Sequence, residues 1–417
     1  MPEHLSVNEA QQRIIKKLKP GLIEEVGLIE APGRVMALDA KASIDLPAFS
    51  NSSMDGYALR AEDILNASAE NPVTLQVIAD IPAGKSPEIT VDAGQAARIM
   101  TGGKIPEGAN AVVPVENTDQ ADKFFHIELG REVKIFKAAK HGDFIRSRGQ
   151  SVRAGEVVLP SGKVLTPQDI GALASLGISR VQVYQRPKIA LLTTGDELVP
   201  PGEPLESGKI YDSNSFMLAA MVEQYGGQVL RLGIAPDKPK SIRQRLELAV
   251  SMKADLILSS AGVSVGTYDF VKTVVEESGE LDFWRVNMRP GKPLAFGNYR
   301  NIPFIGLPGN PVSAFVGFLV FVVPAIHRLA GLNETIWPRI KVRLEHPVES
   351  DGRETYFRAT VRKKNGQYLA SLKDHQGSDN LVGLTRANTL LIIPSGVKSL
   401  AIGSEVDAWL LGSMEFA

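Results

Sequence analysis

Ala254-Asp-Leu-Ile-Leu-Ser-Ser-Ala-Gly-Val-Ser-Val-Gly-Thr-Tyr-Asp269, Arg289-Pro-Gly-Lys-Pro293 and Gly306-Leu-Pro-Gly-Asn-Pro-Val-Ser313 decide how this chain is read. Residues 255–258 form a short apolar run of buried-strand length. Ser259, Ser260, Ala261 and Gly262 follow, small residues that let a backbone turn tightly and approach a ligand. Apolar side chains then recur at helical spacing (Phe270, Val271, Val274, Val275). Strand, small-residue loop and helix together aim backbone N–H groups at an anion. Asp269 stands where that helix is expected to begin, suited to capping it or to holding a divalent cation beside phosphate.

The second segment is cationic: Arg285, Arg289 and Lys292 lie within eight residues, interrupted by Pro290-Gly291. The third begins with a short strand, breaks at Pro308-Gly309 and enters a long helix at Pro311, a residue suited to a first helical turn. Any one of these turns alone reads as an ordinary connection. All three at the strand ends of one βα-alternating segment point to an anion site, where open α/β sheets bind ligands.

Outward from this stretch the alternation continues. Residues 188–193 read as a strand, 212–225 as a helix begun by Ser213 or Asn214, 228–235 as a strand and 241–252 as a helix. Short links between them predict a largely parallel sheet covered by helices over about 187–331. Toward the N-terminus, Ser6 and Glu9 resemble a capping box before an amphipathic helix over 10–18. Strands at 73–81, 95–101 and 111–116, with more extended chain over 124–135, predict a small β module. Within it Asp55-Gly56 reads either as a turn or as a polar loop presenting a carboxylate. Thr166-Pro167 starts a short helix. After Trp337-Pro338, short strands at 339–345, 356–363, 368–372, 389–394 and 405–411 predict a β-barrel or sandwich.

The 417 residues exceed one compact core and predict two to four domains. A net charge of -1 gives no global field for nucleic acid. The absence of cysteine excludes disulfides, thiolate metal sites and cysteine nucleophiles. The N-terminus lacks the features of a signal peptide, and the apolar stretch 315–326 reads as a buried helix too short to span a membrane. A cytoplasmic location is the resulting expectation. No Gly-x-Ser-x-Gly elbow, phosphate loop ending in Gly-Lys-Ser/Thr or His-Glu-x-x-His helix occurs.

The predicted sheet carries acids on its loops: Asp196 and Glu197 after one strand, Asp237 after the next, Asp269 after the third. With the cations that follow, they suit a phosphate ligand with Mg²⁺, the carboxylates holding metal and the cations holding phosphate oxygens. Turn capping and surface charge remain the plainer readings of each residue alone.

Asn51-Ser-Ser-Met-Asp-Gly-Tyr-Ala58, Arg98-Ile-Met-Thr-Gly102, Thr194-Gly-Asp-Glu-Leu198, Gly262-Val-Ser-Val-Gly266, Pro290-Gly-Lys-Pro293 and Gly306-Leu-Pro-Gly-Asn-Pro-Val-Ser313 stand in the order seen in the MoeA family. The resemblance to these molybdopterin molybdenumtransferases, which include the E domain of gephyrin, covers nearly the whole chain. It implies a multidomain α/β plus β protein. A discontinuous linking domain (1–45 and 146–186) carries an inserted β module (46–145). A three-layer MogA-like molybdopterin-binding domain (187–331) and a C-terminal β-barrel (332–417) follow. It implies a homodimer with a shared active site, adenylylated molybdopterin and molybdate as substrates, Mg²⁺ as metal and AMP as leaving group. Hand-over from a molybdopterin adenylyltransferase and to molybdoenzyme maturation proteins is implied as well, with no nucleic acid or membrane partner.

Carried over by motif, Asp55 and Thr101 resemble active-site residues contributed by the other subunit. Glu197, Asp237 and Asp269 resemble the catalytic and metal carboxylates, and Gly262, Ser264 and Gly266 the pterin-phosphate loop. Arg285, Arg289, Lys292, Ser313 and Arg358 resemble the oxyanion-binding set; Pro308 and Pro311 shape the last loop, and Ser378 joins the substrate site. The chain departs from the family pattern in four places: Ser151 stands where an acid is usual, Ala261 replaces the first glycine of Gly-Gly, and Arg285 and Arg289 replace lysines. Arginine keeps the charge but prefers forked contacts. A binding or scaffold protein on the same fold and a tungstate-handling paralogue are the rival readings.

Overall fold

The computed structural model describes residues 5–122, 130–261, 270–335, 337–372 and 375–411. The chain divides into two compact units, Met1–Leu38 with Gly162–Leu165 and Gln182–Ala417, and Asp39–Ser161 with Thr166–Val181.

The first unit is built on a six-stranded sheet. Its spatial order is Gln228–Ala235, Lys188–Thr194, Leu256–Ser260, Ile302–Leu307, Pro293–Tyr299 and Gly279–Arg285. The first four strands run parallel, and Pro293–Tyr299 is antiparallel to both its neighbours. The two apolar phases of each strand face different cores. Ile189, Leu191, Leu256 and Leu258 pack with Ala10, Ile14, Leu218 and Phe318 on one side. Ala190, Leu192 and Ile257 pack with Ile242, Leu246, Val271 and Val274 on the other. Helices cover both faces, which is why these strands read as continuous apolar runs rather than alternating ones. The expected helix 10–18 spans Val7–Lys17, with Ser6 and Glu9 closing the capping box.

Pro311–Leu329 is a 19-residue helix, longer and more apolar than the sequence reading allowed, and its length suffices to cross a membrane. Burial settles its role: 78% of its apolar window lies inside the protein, and it forms the centre of the larger core. Its middle, Phe318–Val322, widens to a π-helix just before Pro324. Proline removes an amide and crowds the carbonyl four residues back, here that of Val320. Gln11 Nε2 donates to that carbonyl at 2.7 Å.

After this helix the expected β region closes into a five-stranded barrel. Arg339–Leu344, Glu354–Lys364, Gln367–Ser371, Thr389–Ile393 and Glu405–Leu410 form the ring. Closure comes from pairing of Glu354–Lys364 with Thr389–Ile393. Val342, Phe357, Val361, Leu391 and Val406 fill the interior, so the open-sandwich alternative does not hold. Met288–Arg289 adds a short parallel strand to Glu354–Lys364, joining the barrel to the cationic turn of the sheet domain.

The second unit contains a five-stranded sheet ordered Ala111–Pro114, Gly56–Leu59, Gln95–Ile99, Val73–Ile81 and Glu132–Ile135. Leu59, Ile64, Leu75 and Val133 are among the side chains of its core. Pro167–Ser175 is the expected short helix, its capping box made by Thr166 and Asp169.

Candidate functional site

The first sheet places Lys188–Thr194 between its second and third strands in chain order. From there the chain leaves to one side and returns to the other, so the carboxyl ends of Lys188–Thr194 and Leu256–Ser260 flank the switch point at which such sheets hold ligands. Three of the predicted acids gather on this rim. The Asp237 backbone N–H donates to Asp196 Oδ1 at 3.2 Å. Burial, followed by the nearby charges of Asp196 and Glu197, raises the Asp237 carboxyl above the ordinary carboxylate range; its bond with Asp196 opposes that shift. Gly195 adopts φ +149, and a Cβ there would stand 2.7 Å from Glu197 Oε2. That backbone angle favours glycine, and the Glu197 carboxylate folds back over the turn. The sequence presents Asp196-Glu197 and Asp237 as separate loops; tertiary structure makes them one acidic cluster.

Asn214, absent from the sequence-based site, ties the rim together. Its Nδ2 donates to Ser260 Oγ at 2.9 Å and to the Gly309 carbonyl at 2.7 Å. One amide thereby joins the first helix, the third strand end and the Pro308-Gly309 turn. Its helix, Asn214–Gln224, is not capped by Ser213 or Asn214 as expected. Asp212 serves instead, accepting the Ser215 N–H at 3.0 Å. The signal was legible as Asp212-Ser-Asn214, a polar triplet before a helix, but capping alone accounts for it. Beyond Ser260, Ala261 has φ +72 and donates its N–H to Leu307 O at 3.1 Å. Gly262, Ser264, Gly266 and Asp269 lie outside the described residues.

The cationic segment meets the last loop through backbone. A Cβ on Gly291, whose φ is +100, would lie 3.5 Å from Ser313 O. The Pro290-Gly291-Lys292 turn therefore rests on the start of the long helix, where Pro308 and Ser313 are buried and Pro311 is half-buried. Lys292 is exposed and Arg285 half-buried. Arg289 is divided between the Phe357 ring, 5.9 Å from its guanidinium carbon, and Asp351 at 3.9 Å. Ser378 also joins this loop: its carbonyl accepts the Val312 N–H at 3.0 Å and its Oγ accepts Asn310 Nδ2 at 2.8 Å.

Arg358, which by motif resembles a member of the oxyanion-binding set, is turned into the protein. Only 3% of it is exposed. Nη1 donates to Asn380 O at 2.6 Å, and Nη2 to His375 O at 2.7 Å and Gly377 O at 3.0 Å. Gln376 pairs with the Arg358 backbone through both ends of its amide. The guanidinium thus organises the loop that presents Ser378, gathering three of its carbonyls on one planar fork; the His375 carbonyl also accepts Asn380 Nδ2 at 3.0 Å.

In the second unit Asp55 and Thr101, distant in sequence, meet directly. Thr101 N and Oγ1 donate to Asp55 Oδ1 at 2.7 and 2.9 Å. The strand leading to Thr101 is anchored by Arg98, whose Nε and Nη2 bind both Asp80 oxygens at 2.7 and 2.8 Å. Gly56 is not a positive-φ turn residue but the first residue of strand Gly56–Leu59. A Cβ there would fall 2.0 Å from Val113 O. Close backbone approach, not turning, requires glycine. Ser151 is exposed and donates its N–H to Leu46 O at 2.9 Å, and Arg148 pairs with Asp45 at 2.6 Å.

Family models match along the chain: the MoeA N-terminal region (domain I and II) over residues 5–177, a probable molybdopterin binding domain over 190–328 and the MoeA C-terminal region (domain IV) over 341–411. The chain is 39% identical over 390 residues to a molybdopterin molybdenumtransferase of Nostoc sp., covering 92% of this chain and 87% of the relative. It is 38% identical over 411 residues to molybdopterin molybdenumtransferase 2 of Mycobacterium tuberculosis, covering 97% and 99%. The crystal structure of a molybdopterin biosynthesis MoeA protein from Pyrococcus horikoshii superposes with a TM-score of 0.82 at 32% identity, covering 98% of this chain and 100% of that one. The acid-bearing switch point, the barrel and the matched regions together establish that this chain belongs to the MoeA family of molybdopterin molybdenumtransferases.

Proposed function

We propose that this protein inserts molybdate into adenylylated molybdopterin, releasing AMP in a Mg²⁺-dependent reaction and yielding molybdenum-bearing molybdopterin. The observation that carries the reading is the convergence of Asp196, Glu197 and Asp237 on one rim, with Asp237 pushed toward its protonated form. Neighbouring carboxylates on one rim are the ligands a divalent cation takes. Among the described residues no three acidic or histidine side chains form a metal cage. A Mg²⁺ held by one or two carboxylates and by substrate phosphate needs none. Glu197 and Asp237 would hold it, with Asp269 as the third carboxylate by motif; bound there, the ion offsets charge on the phosphoanhydride.

The chain's own residues orient the rest. The Gly262, Ser264 and Gly266 loop takes the pterin phosphate. Arg285, Arg289, Lys292, Ser313 and Ser378 line the oxyanion side, with Pro308, Pro311 and Arg358 holding their loops in place. Addition of water across the phosphoanhydride releases AMP and leaves the phosphate on the pterin, and the dithiolene sulfurs, giving up their protons, would displace molybdate oxygen as water. Asp55 and Thr101 act as a hydrogen-bonded pair supplied by the partner subunit of a homodimer. The four-domain division 1–45 with 146–186, 46–145, 187–331 and 332–417 accompanies this reading. So do a cytoplasmic setting, receipt of substrate from an adenylyltransferase and delivery to molybdoenzyme maturation proteins.

The test is AMP release by the purified protein supplied with adenylylated molybdopterin, Mg²⁺ and molybdate. Release that requires all three supports the assignment. A folded protein giving none above background removes it and leaves a binding or scaffold role.

A further inference from the structure

We propose that a cleft at the amino-end edge of the six-stranded sheet, opposite the acidic rim, binds a small aromatic anion. Its carboxylate or phosphate sits at Arg34, Arg186 and Lys188, and its ring enters the apolar recess behind them. The site is separate from the one to which the molybdate reading belongs. Lys188 and Gln228 open two adjacent parallel strands and are paired in register. The rim acids follow the far ends of the same strands, after Thr194 and Ala235. A strand of seven residues, rising about 3.3 Å per residue, separates the two ends by about 20 Å.

The mouth of the cleft holds about 570 Å³, with Glu24, Arg34, Arg186, Lys188 and Glu223 as its charged lining. Arg34 is 9% exposed. Among the described residues it donates through Nη2 alone, to Glu24 Oε1 and to Tyr184 O at 2.8 Å. Its Nε and Nη1 therefore keep their protons for a ligand. Arg186 and Lys188 pair with no acid among the described residues. The Lys188 backbone is fixed, its N–H donating to Asp255 Oδ2 at 2.7 Å. Glu24 is engaged by Arg34, and Glu223 accepts the Val229 N–H through Oε1 at 2.9 Å. The cations outnumber the carboxylates, and a buried arginine with donors to spare suits a carboxylate or phosphate.

Behind the mouth, a recess of about 320 Å³ shares Arg34, Gln185, Arg186 and Glu223 with it. Val35, Val164, Tyr184, Tyr225 and Leu332 give the recess its apolar lining. The Tyr184 ring lies against Gly331, where a Cβ would stand 2.1 Å from Cδ2, so glycine makes room for the ring. His327 also lines the recess, bonded through Nδ1 to Thr335 Oγ1 at 2.9 Å. Burial holds its pKa at about 4, so at pH 7 this imidazole is neutral and charge stays at the mouth. Apolar walls with a few polar groups at one end are the layout of a small-ligand site. Two tyrosine rings among those walls favour a planar ring as the ligand's body.

The experiment measures binding of phenyl phosphate and of inorganic phosphate to the full chain by calorimetry. The proteins are wild type, the double variant Arg186→Ala with Lys188→Ala, Glu223→Gln and Leu332→Ala. Phenyl phosphate should bind wild type about tenfold more tightly than inorganic phosphate, because its ring is buried. The double variant should bind phenyl phosphate about tenfold more weakly. Glu223→Gln removes the opposing carboxylate and keeps the acceptor for Val229. It should tighten binding about threefold, a gain that misfolding does not produce. Leu332→Ala should weaken phenyl phosphate about fivefold and leave inorganic phosphate unchanged. Equal affinity of wild type for the two probes overturns the proposal. So does phenyl phosphate binding that is the same in wild type, the double variant and Glu223→Gln, since the probe then sits elsewhere on the chain.

Discussion

Asp55 Oδ1 accepts two hydrogen bonds from Thr101, one from its backbone N–H and one from its hydroxyl, across 46 residues of sequence. The hydroxyl bond orients Thr101 Oγ1 toward the carboxylate, and the backbone bond fixes the carboxylate itself. Thr101→Val removes only the first. It should reduce AMP release about tenfold, the scale of a charge-assisted hydrogen bond, while leaving the melting temperature nearly unchanged. Thr101→Ser should restore most of the rate. Equal activity in all three proteins would take Thr101 out of the mechanism.

Asp237 makes a pH-dependent prediction of definite sign. Its folded carboxyl is raised above the ordinary value by burial and by Asp196 and Glu197. The proton it binds therefore stabilises the fold fully below the unfolded pKa, near pH 4, and that stabilisation is lost as pH rises through the raised folded value. Asp237→Asn should melt higher than wild type at pH 7, with the difference vanishing near pH 4, and should release almost no AMP. Mg²⁺ should raise the melting temperature of wild type more than that of the variant. Thermal melts at the two pH values, with and without Mg²⁺, check this; a variant less stable than wild type at pH 7 contradicts it.

Asn214 links Ser260 and Gly309 through one buried amide. Asn214→Ala leaves the Gly309 carbonyl and the Ser260 hydroxyl short of a partner. Two lost bonds of about 1 kcal/mol each, with partial desolvation, predict about 2–3 kcal/mol of destabilisation. Urea unfolding measures it. The rim should also loosen, seen as faster amide exchange at Ala261, whose N–H is bonded to Leu307.

Arg358→Lys tests whether the guanidinium works by geometry or by charge. Lysine keeps the charge, but its single ammonium lacks the planar fork that serves the carbonyls of His375, Gly377 and Asn380. A loss of about 2 kcal/mol in urea unfolding is expected, together with a raised KM for molybdate because Ser378 loses its support. Wild-type stability and KM in the lysine variant would favour a direct electrostatic role instead.

Ala261 occupies the left-handed region at φ +72, where a Cβ costs about 1–2 kcal/mol. Ala261→Gly should relieve that strain. Glycine's greater freedom in the unfolded chain offsets part of the gain, so a net stabilisation of about 1 kcal/mol is expected. Chemical denaturation decides; a destabilised variant would mean that packing of the Ala261 methyl outweighs the strain.

The amino-acid sequence by itself determined the order and type of the elements. Apolar runs covered on both faces produced parallel strands, and capping residues at Ser6 and Thr166 marked helix starts, because these are local properties of neighbouring residues. It also determined the family, since ordered motifs survive reading in one dimension. Tertiary structure decided the rest. It joined Asp55 to Thr101 and Asp237 to Asp196, turned Arg358 inward as a brace and gave Asn214 its place at the rim. It also buried a helix long enough for a membrane. Those outcomes depend on which distant backbone segments are brought within hydrogen-bond range of one another, a distance that no local spacing encodes.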